Sequence, residues 1–160
     1  MKLNVSLDYA APPAQVVAML CDEDFQARLC EATHSLESTV DVHEEDEDTV
    51  VTTTRQLPTD GFPDFLRSVV GQSVRVVQTS RWAHGATGGH VHVVVEGTPV
   101  RMDATATITS GGGRTSVTYA GDLVAHVPFV GGRVEKAAAP VVMSALRAEQ
   151  RVGDEWLRTH

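Results

Sequence analysis

Cysteine, basic charge, aromatics and long apolar runs are all scarce in this sequence, and each shortage excludes something. Cys21 and Cys30 are the only cysteines, and no zinc-type cysteine pair occurs. On one continuous helix, at about 100° per residue, they would fall on roughly opposite faces, so they read as reduced packing residues rather than a disulfide. The 13 Lys and Arg are outnumbered by 21 Asp and Glu, for a net charge of -8. That balance excludes nucleic acid as an expected partner, because phosphate tracking needs basic patches. It also disfavours docking on anionic lipid. No apolar run approaches the about 20 residues that span a bilayer, so stable membrane insertion is not expected. The first residues enter an alternating strand pattern with no apolar signal-peptide region, which predicts a cytoplasmic protein.

What remains is ordinary for a globular protein: 42% apolar and 21% charged residues over 160 positions. That length suits one domain, 1–160, with a single sizeable core. One long helical pattern stands out, from Gly131 to Leu157. Val134, Ala138, Val141, Ala145, Ala148, Val152 and Trp156 recur at spacings of three or four and form one apolar stripe. Pro140 predicts a kink or restart within it, and Gly153 a weak point.

The rest reads mostly as strand. Leu3, Val5, Leu7 and Tyr9 alternate with polar residues in a half-buried first strand. Pro12-Pro13 ends it and opens a short helix to Leu20, and Asp22 is placed to cap a second one running towards His34. Leu36, Val40 and Val42, the acidic cluster Glu44 to Asp48, and Val50 to Leu57 read as strand, solvated hairpin tip and strand. The cluster lacks the ordered spacing and glycine of a calcium loop. Phe62 to Gly71 predicts a short helical turn ending at glycine, a plug for the core edge or a gate over a cavity. Four long strands follow, turned at Gly85–Gly89, Gly97-Thr98-Pro99 and Gly111-Gly112-Gly113. The fold class is therefore α+β. About seven antiparallel strands form a curved sheet around the long C-terminal helix, with two short helices after strand one.

That order resembles the START-like, helix-grip superfamily (SRPBCC), which includes lipid-transfer domains, plant pollen-allergen proteins and polyketide cyclases. More narrowly the chain is similar to an uncharacterised bacterial branch of it. The residues that carry the likeness are Leu57-Pro58 with Gly61-Phe62-Pro63-Asp64-Phe65, Gly71, Trp82, Gly97-Thr98-Pro99-Val100, Pro128-Phe129-Val130-Gly131-Gly132 with Glu135, and Glu149 to Trp156-Leu157. The resemblance implies a cavity between sheet and helix for hydrophobic or amphipathic molecules, and it brings no catalytic motif that matches here.

Strand parity turns Leu3, Val5, Leu7, Tyr9, Val76, Gln78, Trp82, Met102, Ala106, Val117 and Tyr119 towards the helix, an apolar lining with a few polar tips. The small residues Ala104, Ala106, Gly121, Ala138, Ala145 and Ala148 leave space in a grip that only four Phe and two Trp can fill. The expected cavity residues are Tyr9, Arg55, Phe65, Val76, Gln78, Trp82, Met102, Ala106, Tyr119, Val141 and Ala145. Arg55 stands on two competing registers. With Val51, Thr53 and Leu57 it points inward and meets an anionic ligand head; with Val50, Thr52 and Thr54 inward it lies in water. His90 and His92 oppose the Val91, Val93, Val95 face, so they read as outward-facing rather than as metal ligands. Neither a metal nor a cofactor is expected. No nucleophile elbow or cysteine signature appears. The leading reading is a binder of a lipid or other hydrophobic small molecule. A polyketide cyclase- or aromatase-like enzyme working through Tyr9, Tyr119 and Arg55 is one alternative, and a protein-interaction scaffold with a filled core is another.

Overall fold

A computed structural model describes residues 1–160. Seven antiparallel strands form one sheet, in the order β1-β7-β6-β5-β4-β3-β2. Strand β1 spans Lys2–Tyr9, and Pro13 then starts helix α1 (Pro13–Leu20). Asp22 caps α2 (Glu23–Ala32), its Oδ1 accepting the amides of Asp24 at 2.8 Å and Phe25 at 3.1 Å. Strands β2 (Glu37–Glu45) and β3 (Asp48–Pro58) form the acidic hairpin, with Asp46 at a φ of 57° in its turn. Its tip is tied down locally: Glu45 pairs with Arg81 and Glu44 with His84, each at 2.5 Å. Leu36, expected to share the inner parity of β2, is exposed just ahead of it.

Helix α3 (Asp64–Val70) stops at Gly71, whose φ of 88° suits a residue without a Cβ. Strands β4 (Ser73–Ala83), β5 (Gly88–Val95), β6 (Val100–Gly111) and β7 (Arg114–Ala125) make the meander. Its last turn, Gly112-Gly113, has both φ values positive, as a tight two-residue hairpin requires. Register carries one face across all seven strands, through Val5↔Tyr119, Ala106↔Tyr119, Gly89↔Ala106, Gln78↔Val93, Thr53↔Gln78 and Val40↔Thr53. His90 and His92 lie on the opposite, convex face; His92 Nδ1 meets Asp103 Oδ1 at 2.5 Å.

Helix α4 runs without interruption over Gly131–Thr159, with Pro140 inside it. No break appears at the proline because its ring sits on the exposed side, where water can serve the carbonyl left without a donor. Gly153 is buried, and its lack of a side chain has a use. A Cβ there would lie 2.5 Å from Tyr9 Cε1, so the glycine lets the tyrosine ring rest on the helix backbone.

The concave face holds two packed clusters. The larger joins Leu7, Tyr9, Val16, Met19, Phe25, Val51, Trp82, Ala106, Val117, Val152 and Trp156, at the end nearest α1, α2 and the last turns of α4. The smaller joins Leu66, Val100, Leu123, Ala125 and Val134, at the end nearest α3 and the first turns of α4.

Candidate functional site

Between the two clusters lies a belt of inward-facing residues whose apolar members belong to neither. On the sheet these are Arg55, Gln78, Val93, Ala104 and Gly121; on the helix, Val141 and Ala145. All are half-buried, although a 29-residue helix crosses the concave face above the sheet. Elsewhere under α4 the half-buried apolar residues of the same strands, such as Met102, Ile108 and Tyr119, pack against one cluster or the other. In β6, Val100 and Ala106 are buried while Ala104 between them is not.

Polar groups gather along this belt. Register settles the two readings of β3: Arg55 pairs with Val76 and Ser38 on the inward face, while Thr52 and Thr54 face out. Its competitor Val50 is buried too, on the convex side between His43 and Arg81, which is why adjacent valines left the parity open. Arg55 Nη1 donates to Thr33 Oγ1 and Nη2 to Gln78 Oε1, both at 3.4 Å. Arg55 Nε is sealed from water with no hydrogen-bond partner, the one side-chain atom in the protein so placed. Burial lowers the guanidinium pKa, although Glu149 and Cys30 nearby pull the other way. Cys30 and Cys21 are free thiols, both raised by burial, Cys21 to about 11.

Glu149 is the residue that sequence reasoning missed. It is buried in α4 and takes two phenols on one oxygen: Tyr119 donates to Oε1 at 2.9 Å and Tyr9 at 3.2 Å. Burial raises its carboxyl pKa, opposed by those two bonds and by Arg55. Burial and the carboxylate raise both phenols well above the usual tyrosine range. A signal was present, since Glu149 stands four residues after Ala145 and three before Val152, on the apolar stripe itself.

The other expected cavity residues divide by position. Tyr9, Trp82 and Ala106 are sealed in the larger cluster, and Val76 is buried in β4. Met102 and Phe65 are half-buried against the smaller one, and Arg133 stacks 4.1 Å above the Phe65 ring. Two grooves of about 460 Å³ each open away from the helix-facing side of the belt, and the second backs onto Ala104 and Gly121. One runs between β1 and α4, past Ser6, Arg147, Arg151 and Asp154; the other is on the convex face by His90, His92 and Asp103.

A seven-stranded antiparallel sheet curled around one long C-terminal helix is the START-like helix-grip fold, and solved structures agree. A START superfamily protein from Mycobacterium smegmatis superposes with a TM-score of 0.58 at 12% identity, covering 98% of each chain. Norcoclaurine synthase from Thalictrum flavum gives 0.61 at 11%, covering all of this chain and 87% of that one. The di-domain ARO/CYC BexL from the BE-7585A biosynthetic pathway gives 0.60 at 13%, with 99% of this chain on 46% of that one. At these identities the likeness establishes the fold. A family profile described as "Protein of unknown function (DUF2505)" matches residues 4–157, and the chain belongs to that family. No curated protein matches the sequence. No helix is long and apolar enough to cross a membrane.

Proposed function

We propose that the protein binds a hydrophobic small molecule in the belt between the sheet and α4. The observation that carries this reading is the division of the core. Protein interiors pack densely, so apolar side chains left half-buried beneath a long helix mark space that the chain does not fill itself. Apolar walls with a few converging polar groups are the usual make-up of a ligand site, and here those groups are Arg55, Gln78, Tyr119 and Glu149. Structures of similar fold include a START superfamily protein and, in norcoclaurine synthase and an ARO/CYC protein, named biosynthetic functions. The test is native mass spectrometry of freshly purified protein, together with titration of a neutral hydrophobic reporter, 1-aminoanthracene. A co-purifying apolar molecule or saturable reporter binding is expected. Bare protein that also leaves the reporter in water would remove the reading.

One observation favours an enzymatic second reading, a cyclase- or aromatase-like activity at the same place. A carboxyl whose pKa burial raises, hydrogen-bonded to two tyrosines, is a proton-transfer group of the kind enol chemistry uses. Tyr119→Phe would then abolish turnover of an enolisable substrate, whereas in a carrier it would only retune affinity.

A further inference from the structure

Arg55 is the only basic residue on the concave face of the sheet, and it has no carboxylate within ion-pairing distance. Its bonds to Thr33 and Gln78 are neutral and long, and Thr33 Oγ1 already gives its own proton to the Cys30 carbonyl at 2.9 Å. A buried charge held this loosely is costly, because charges taken out of water normally find a counter-ion. The defect is also localised. Nε and Nη2 lie along the same edge of the planar guanidinium, the edge that meets two oxygens of one acceptor side-on. Nε has no partner and Nη2 has only the distant Gln78 oxygen.

We propose that this edge of Arg55 receives the two oxygens of a carboxylate, so that the ligand is an amphipathic monocarboxylic acid whose apolar body lies against Val93, Ala104, Val141 and Ala145. The inference rests on the binding reading above and adds the chemical class of the head. Charge matching selects a carboxylate over a phosphate ester. One guanidinium balances one negative charge, and the groups that face it from neighbouring elements are Gln78 on β4, Thr33 after α2, Cys30 on α2 and Glu149 on α4, none of them a second cation. A dianionic phosphate would bring an unbalanced charge beside Glu149. Gln78 completes the head site: its Nε2 is held towards Ser80 Oγ at 3.4 Å, which keeps Oε1 turned to Arg55 until a stronger acceptor displaces it.

The experiment measures displacement of 1-aminoanthracene by four dodecyl compounds kept below their micelle concentrations: dodecanoate, methyl dodecanoate, dodecanol and dodecyl phosphate. In the wild type, dodecanoate is expected to bind about tenfold or more tightly than its methyl ester, as a two-point charge-assisted bond implies. Arg55→Met keeps the stem and removes the charge. It should erase that preference, read as the acid-to-ester affinity ratio so that any change in reporter affinity cancels, and raise thermal stability, a combination that a merely structural arginine would not give. Gln78→Glu is nearly isosteric and places a carboxylate on the free edge, so it too should abolish the preference. Equal affinity for acid and ester, or a preference that survives in Arg55→Met, overturns the proposal while reporter binding leaves the binding reading intact. Tighter binding of dodecyl phosphate than of dodecanoate overturns the carboxylate class. Loss of both reporter and dodecanoate binding in the wild type removes both readings together.

Discussion

Glu149 projects from the sheet-facing side of α4 with both phenols on one oxygen, so its proton is tied to the fold. Burial is the main cause of its raised pKa. The native state therefore holds this proton more tightly than the unfolded chain, and stability declines as pH rises from the ordinary value near 4.5 through the raised one. Each unit of elevation corresponds to about 1.4 kcal/mol. Tyr9 and Tyr119 stay neutral over this range and keep donating, and Arg55 stays charged. Glu149→Gln keeps an acceptor oxygen for both phenols and has nothing to ionise. Its melting temperature is expected to exceed that of the wild type at pH 7, with the gap closing towards pH 4.5, read from thermal melts across pH 4–8. A variant less stable by the same amount at every pH would show that the carboxylate itself, not its protonated form, holds the tyrosines. The tyrosines were legible in the sequence, because strand alternation fixes their face. Their partner was not: an acidic residue on a helix is expected to lie off the apolar stripe, and only two phenols in search of an acceptor would have drawn attention to it.

Elements were easier to read than their contacts, because punctuation is chemical. Asp22 caps, Gly71 and Gly112-Gly113 turn, and alternation gives each strand its inner face. The difficulty lay where two residue types gave conflicting instructions. Val50 and Val51 are both buried, on opposite faces of β3, so apolarity alone could not choose the side of Arg55. Pro140 set a local rule against a long helix, and packing at both ends won, with Val134 at one and Trp156 at the other. The proline still costs the helix a hydrogen bond and strains the preceding turn, up to about 3 kcal/mol relative to alanine in a helix interior. Because Pro140 is exposed, Pro140→Ala is expected to raise stability by about 1–3 kcal/mol in urea denaturation. A lower midpoint would mean that Pro140 sets the helix course that seats Val134 against Leu66.

The two clusters are unequal, 13 buried residues against 5, and they share one sheet and one helix. Stability within a fold follows the density of buried apolar contact, so the molecule should not open uniformly. The larger cluster anchors β1, α1, α2 and the end of α4 through Tyr9, Phe25 and Trp156, with the Phe25 and Trp156 rings edge to face at 5.7 Å. The smaller holds α3 and the first turns of α4 by little more than Leu66, Val134 and their half-buried neighbours. Hydrogen exchange followed by mass spectrometry is therefore expected to show α3 and residues 131–142 exchanging well before residues 146–157. This order also makes the weak end the route into the belt, since α3 and the start of α4 can lift away without disturbing the larger cluster. A ligand lying between the clusters would bridge them, so saturating 1-aminoanthracene should slow exchange in α3 and in residues 131–145 far more than in α2. If both halves of α4 exchange together in the free protein, the gap between the clusters is not an energetic boundary and entry must lie elsewhere. Protection gained at α2 instead would place the ligand beside the larger cluster rather than in the belt.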